Sequence, residues 1–114
     1  MKIEQYSIWI CDLNPQIGTE PGKVRPVLVV QTNLLNDINH PSTLVCPITT
    51  DVINDVDILR LHLKKGESNL KEDSDVLLDQ MRAIDNRRFV KKVGNLKHDK
   101  IQKVLENLKI VLDL

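Results

Sequence analysis

A few polar side chains in this sequence sit where chemistry is usually done, at the ends of apolar segments. Arg25 stands one residue before a proline at the head of "RPVLVVQTN" (25–33). Thr49 and Thr50 close "TLVCPITT" (43–50), and Glu20 belongs to the Gly- and Pro-rich "PQIGTEPGK" (15–23) just upstream of Arg25. Gln80 and Arg82 lie two apart in "VLLDQMRAID" (76–85), the spacing that puts both on one face of a strand. Arginine is a planar cationic fork, charged at any working pH and matched to oxyanions. A threonine hydroxyl donates or accepts a hydrogen bond, and glutamate has an ordinary base pKa. Taken one at a time, each of these residues is better explained by surface charge or turn chemistry.

Other chemistries find little support. His40, His62 and His98 are scattered, and neither Cys11 nor Cys46 has a partner at ligand spacing. With no Cys-x-x-Cys and no His-Glu-x-x-His, no metal site is expected, and His62 reads as the polar face of a strand. The phosphate loop of nucleotide hydrolases and the dinucleotide fingerprint are both missing, so no cofactor is expected. Spacing alone does not exclude a Cys–His nucleophilic pair, but both cysteines sit in apolar stretches and read as buried thiols of a reducing compartment.

These side chains need a scaffold, and the apolar pattern supplies one. "YSIWICDL" (6–13) alternates and ends at an Asn-Pro turn signal, which predicts a strand. The loop 15–23 follows. Segment 25–33 is a continuous β-branched run that predicts a central strand, with Pro26 tolerated at its start. Residues 33–42 read as a polar connection. Segment 43–50 is a strand whose Pro47 suggests an edge or a bulge. "VDILRLHL" (56–63) sets Ile58, Arg60 and His62 against Leu59, Leu61 and Leu63, a half-buried strand. After the polar connection 64–75, segment 76–85 is read as one strand and 89–96 as another. In "HDKIQKVLENLKIVLDL" (98–114) the apolar residues move to helical spacing, with Asp99 and Lys109 placed to suit the helix dipole. Strands followed by a single terminal helix, without β-α-β alternation, predict one domain over 1–114 built on a mostly antiparallel sheet or small barrel.

Composition narrows the partners. Apolar residues at 41% and charged residues at 28% are ordinary for a globular chain. Trp9, Tyr6 and Phe89 are the only aromatics, so an aromatic base-stacking platform is not expected. The net charge is +0, which disfavours gripping long nucleic acid by charge alone. The charge is uneven, however: acids outnumber bases over 51–79, and the balance reverses over 82–109. No signal peptide is visible and no apolar run nears the roughly 20 residues of a membrane span, so a cytoplasmic chain with no membrane partner is expected.

In order along the chain come Asp-Leu-Asn-Pro (12–15), Gly-x-Glu (18–20), Arg-Pro-Val (25–27), Pro-Ile-Thr (47–49) and Asp-Gln-x-Arg (79–82), then the amphipathic helix. This series resembles the MazF/PemK toxin family over essentially the whole chain. The resemblance implies a mainly β (α+β) fold: a small SH3-like antiparallel β-barrel with a C-terminal helix, the PemK/CcdB-like toxin fold. It implies the toxin of a type II toxin–antitoxin system, a metal-independent endoribonuclease that cuts single-stranded RNA at short motifs, forms a homodimer and is held by a cognate antitoxin. Arg25 and Thr49 then correspond to the catalytic pair and Glu20 to a loop acid, with Gln80 and Arg82 on the RNA and Thr19, Lys23 and Thr50 beside it. Where many members carry Glu-Gln-Gly-Gly, this chain has Glu20-Pro21-Gly22-Lys23, which alters the setting of Glu20. A non-enzymatic gyrase poison of the same fold is the alternative. It would place the critical surface on the terminal helix.

Overall fold

The computed structural model describes residues 2–19 and 23–114. Strands β1 (Ser7–Asp12), β2 (Val24–Val29), β3 (Ser42–Thr49), β4 (Arg60–Leu63), β5 (Ser74–Leu77), β6 (Arg82–Asp85) and β7 (Phe89–Asn95) form a seven-stranded sheet. Every pairing is antiparallel. The strand order is β4-β5-β3-β2-β1-β7, and β6 pairs with β3 off that path.

β3 organises the sheet. One edge pairs with β2 through Val45, Cys46 and Pro47. The other edge pairs first with β6, over Ser42 to Val45, and then with β5 at Ile48 and Thr49. The Pro47 reading is corrected here. The residue lies in a central strand, at the handover between two partner strands, where a missing amide donor costs little.

Alternation along β1 and β2 feeds two cores. Ile8 and Leu28 join Cys46, Ile48, Leu63 and Val76 on one face, and Trp9, Cys11, Val27 and Val29 join Val45 and Phe89 on the other. Trp9 and Phe89 meet edge to face with centroids 5.6 Å apart. Cys11 and Cys46 are free and buried, and desolvation pushes both thiols up to about 12, with the charge of Asp79 adding to the shift at Cys46. Helix α2 (His98–Leu112) covers the first face with Val104, Ile101 and Leu108. It is tied down by the buried Asn107, whose Oδ1 accepts from Leu59 N–H at 2.6 Å. No helix among the described residues is long and apolar enough to cross a membrane.

Strands β4 and β7 end the strand order without pairing to each other, so the sheet is barrel-like but not closed. The 3-10 turn Glu67–Asn69 docks on β7 instead, with Asn69 Nδ2 donating to Val93 O at 3.1 Å. Gly94 permits this docking, since a Cβ there would stand 2.5 Å from Ser68 O.

Several expected boundaries shift for local reasons. β2 stops at Val29, because Leu44 N–H donates to the side-chain Oε1 of buried Gln31 in place of a ladder partner. The connection 33–42 contains a short helix, α1 (Asn33–Asn36), capped by Thr32 Oγ1 accepting from Leu34 N–H. Of 56–63 only β4 is strand, since Leu59 takes φ 68 and breaks the extended run before it. Segment 76–85 is not one strand either. The 3-10 turn Leu78–Gln80 separates β5 from β6.

Candidate active site

The β2–β3 ladder ends at Val27–Pro47. Its antiparallel register sets Arg25 and Thr49, two residues further on, opposite each other. Both line an open cleft of about 470 Å³, together with Lys23, Pro26, Thr50 and Asp51. Arg25 and Thr49 are half-buried, while Lys23 and Thr50 are exposed. Lys23 and Arg25 put positive charge at the mouth, and Asp51 puts a carboxylate at its wall.

Hydrogen bonds hold Lys23 on one wall and Thr49 and Asp51 on the other. The base of the loop before β2 is closed by Leu13 N–H donating to Lys23 O at 2.8 Å and Lys23 N–H donating to Asn14 Oδ1 at 2.8 Å. Arg88 Nη1 reaches across from the turn before β7 and donates to Asp12 O and Asn14 O at 3.0 and 2.6 Å. On the other wall Thr49 Oγ1 accepts from Asp51 N–H at 3.1 Å. A hydroxyl that already accepts one hydrogen bond still has its own proton to donate, so Thr49 can serve a phosphate oxygen or a leaving group in the cleft.

A second cavity of about 400 Å³ gathers Thr19, Val56, Arg60, Leu77, Asp79 and Gln80. A third, of about 410 Å³, shares Pro26 and Thr50 with the Arg25 cleft and is rimmed by Lys71, Lys91 and Lys92. Part of the basic C-terminal third therefore faces the cleft's neighbourhood.

The structure thus brings Arg25, Thr49, Thr50 and Lys23 into one cleft and sets Thr19 with Gln80 in another. Gln80 and Arg82 do not share a strand face, which corrects the sequence reading. Gln80 closes the 3-10 turn, while Arg82 opens β6 opposite Val45 and lines neither cavity. Glu20 lies outside the described residues. Asp51, Arg60 and Asp75 were missed. Asp75 gave one signal, a charged residue at the head of the apolar run Val76-Leu77-Leu78.

A barrel-like antiparallel sheet with a terminal helix, and a cleft at paired strand ends lined by Lys23 and Arg25, define the class of fold and the candidate site. Residues 4–112 match the family model of the PemK-like, MazF-like toxin of type II toxin–antitoxin systems, and the chain belongs to that family. It is 32% identical to the endoribonuclease EndoA of Bacillus subtilis (strain 168), over 100% of this chain and 97% of that protein. Its fold matches MazF from Deinococcus radiodurans with a TM-score of 0.83 at 23% identity, covering 100% of this chain and 99% of that one. It also matches a mycobacterial endoribonuclease solved in complex with its cognate antitoxin, with a TM-score of 0.77 at 14% identity, covering 98% and 96% of the two chains.

Proposed function

We propose that this chain is the toxin of a type II toxin–antitoxin pair and cuts single-stranded RNA without a metal. One observation carries the reading: Arg25 and Thr49, far apart in sequence, face each other across one open cleft in a chain of the MazF-like family. The ribose 2′-hydroxyl attacks the adjacent phosphorus, giving a 2′,3′-cyclic phosphate and a 5′-hydroxyl end. Arg25 holds the non-bridging oxygens and neutralises charge as it builds in the transition state. A guanidinium keeps its charge at any working pH, so clamping comes before any proton transfer. Thr49 donates to a phosphate or leaving oxygen, Lys23 adds charge at the mouth, and Thr50 continues the contact. Glu20, three residues before Lys23 in the sequence, is the candidate base for the 2′-hydroxyl.

Gln80, with both a donor and an acceptor, reads a base edge from the neighbouring cavity alongside Thr19, since an unpaired strand exposes those edges. Arg82 is placed on a more distant part of the RNA. The partners are a second copy of the chain and an antitoxin, the latter supported by the relative solved with its cognate antitoxin. The setting is the cytoplasm, where messenger RNA is available.

The test is cleavage of a long, varied single-stranded RNA in EDTA, with the 5′-hydroxyl ends sequenced. The wild type should cut at a recurring short motif, and Arg25→Ala should abolish cutting while remaining folded. A folded wild type that leaves such RNA whole, or that needs a divalent ion, would overturn the proposal. The first of those outcomes would turn attention to a gyrase poison.

A further inference from the structure

Asp75 is a buried carboxylate, and the cleavage scheme above does not use it. Its side chain is 2% exposed. A buried anion is costly unless it is paired and hydrogen-bonded, so its partners show what it holds in place. In the sheet Asp75 stands directly opposite Thr49 of β3 on one side and His62 of β4 on the other. Directly opposed residues share a face, so Thr49, Asp75 and His62 form a row across three strands.

The hydrogen bonds run toward the cleft wall. Asp75 Oδ2 accepts from Ile53 N–H at 3.1 Å and from Arg60 Nη1 at 3.1 Å, and Oδ1 meets His62 Nδ1 at 3.1 Å. The same Arg60 Nη1 donates to Asp51 O at 2.9 Å. The Asp51 amide, in turn, donates to Thr49 Oγ1. The peptide groups of residue 51 are thereby fixed from both ends: the amide by Thr49 and the carbonyl by Arg60, whose charge is held by Asp75. Ile53, two residues on, is tied to Asp75 directly.

We infer that Asp75 is a positioning residue for Thr49, acting through Arg60 and the 51–53 segment to fix the direction in which the Thr49 hydroxyl meets the substrate. This rests on the nuclease reading of the cleft. Removing the carboxylate leaves Arg60 without its anchor. The Asp51 carbonyl then loses a fixed donor, and the Asp51 amide no longer sets the Thr49 lone pairs. Arg60 also lines the cavity that holds Gln80, so RNA binding should weaken somewhat, by no more than about threefold. The transition-state contact should weaken.

The decisive experiment is a double-mutant cycle on RNA cleavage with Thr49→Ala, Asp75→Asn and the pair. Asp75→Asn should lower kcat by about tenfold with KM within about threefold, and should cause no further loss in the Thr49→Ala background. A full, additive loss in the double mutant would show that Asp75 acts independently of Thr49 and would overturn the inference. If Asp75→Asn does not fold, Arg60→Lys replaces it in the cycle, since it keeps a charge beside Asp75 but loses the planar fork. Amide exchange in the folded variant gives a readout independent of cleavage. The Asp51 and Ile53 amides should lose protection relative to wild type, and unchanged protection would likewise reject the clamp. A wild type that cuts no RNA would overturn the nuclease reading instead, with the exchange result still judging the clamp.

Discussion

Arg25 and Thr49 face each other two residues beyond the last pair of the β2–β3 ladder, Val27–Pro47. Pro26 removes an amide donor where that ladder ends, and Pro47 stands in its last pair. Past it the strand ends bound an open cleft. The sheet is therefore a rigid mount for the two side chains of the proposed phosphate site.

That geometry asks for a fork on one strand, and a point charge is a poor substitute. Arg25→Lys keeps the positive charge but loses the planar, bidentate donor set. Its cleavage rate should fall by about 10²–10³, the usual cost of losing an oriented donor to a developing oxyanion. Thermal stability should stay within about 0.5 kcal/mol of wild type, because the residue lies at a strand end outside both cores. Single-turnover kinetics beside a thermal melt decide it. A lysine variant that cuts at near the wild-type rate would mean that Arg25 contributes charge alone.

Arg88 governs the opposite wall. Its guanidinium donates to Asp12 O and Asn14 O, and Asn14 in turn holds Lys23. Arg88→Ala should loosen the contact between Asn14 and Lys23, at a cost of about 1 kcal/mol in global stability. The larger effects should be faster proteolysis beside Asn14 and Lys23 and reduced cleavage. Limited proteolysis with mass mapping checks this. Cut sites that stay unchanged would show that the loop is held elsewhere.

How legible this was in the sequence depends on the range of the forces involved. The strands 7–12 and 89–95 and the helix 98–112 follow from short-range periodicity, and the sequence reading places them well. The elements it misplaces were decided by distant partners. Leu59 leaves the extended region in a segment docked on Asn107, and β2 ends where Gln31 turns inward to meet Leu44. Gly94 carries no local sign of Ser68, whose carbonyl a Cβ there would meet. For the site, motif order placed Arg25 and Thr49 together, whereas the Asp75 network depends on the β3-β5-β4 register and has no local pattern.

Asp75 also predicts an acid dependence. Burial alone would raise its pKa, but the hydrogen bonds from Ile53, Arg60 and His62 and the charge of Arg60 outweigh burial and lower it. A carboxylate whose folded pKa is depressed stabilises the fold above its ordinary value of 3.8, and that contribution drains away as pH falls through this value toward the folded pKa. Wild type should therefore be more stable than Asp75→Asn near neutrality, and the gap should narrow in acid. Denaturant melts across acidic pH provide the comparison. A gap that stays constant would mean that the ionised form is not what the fold stabilises.

Gln80 should control which RNA is cut more than how fast. It closes a 3-10 turn and lines the cavity that also holds Thr19 and Arg60, apart from the Arg25 cleft. An amide that pairs with a base edge discriminates by leaving a buried polar group unpaired when the wrong base arrives, worth about 1–3 kcal/mol. Gln80→Ala removes both the donor and the acceptor while leaving Arg25 and Thr49 in place. Sequenced 5′-hydroxyl ends should then show one position of the cleavage motif relaxed by about tenfold or more, with cutting at the original motif reduced less than in Arg25→Ala. An unchanged motif with uniformly slower cutting would move base reading to another wall of the groove.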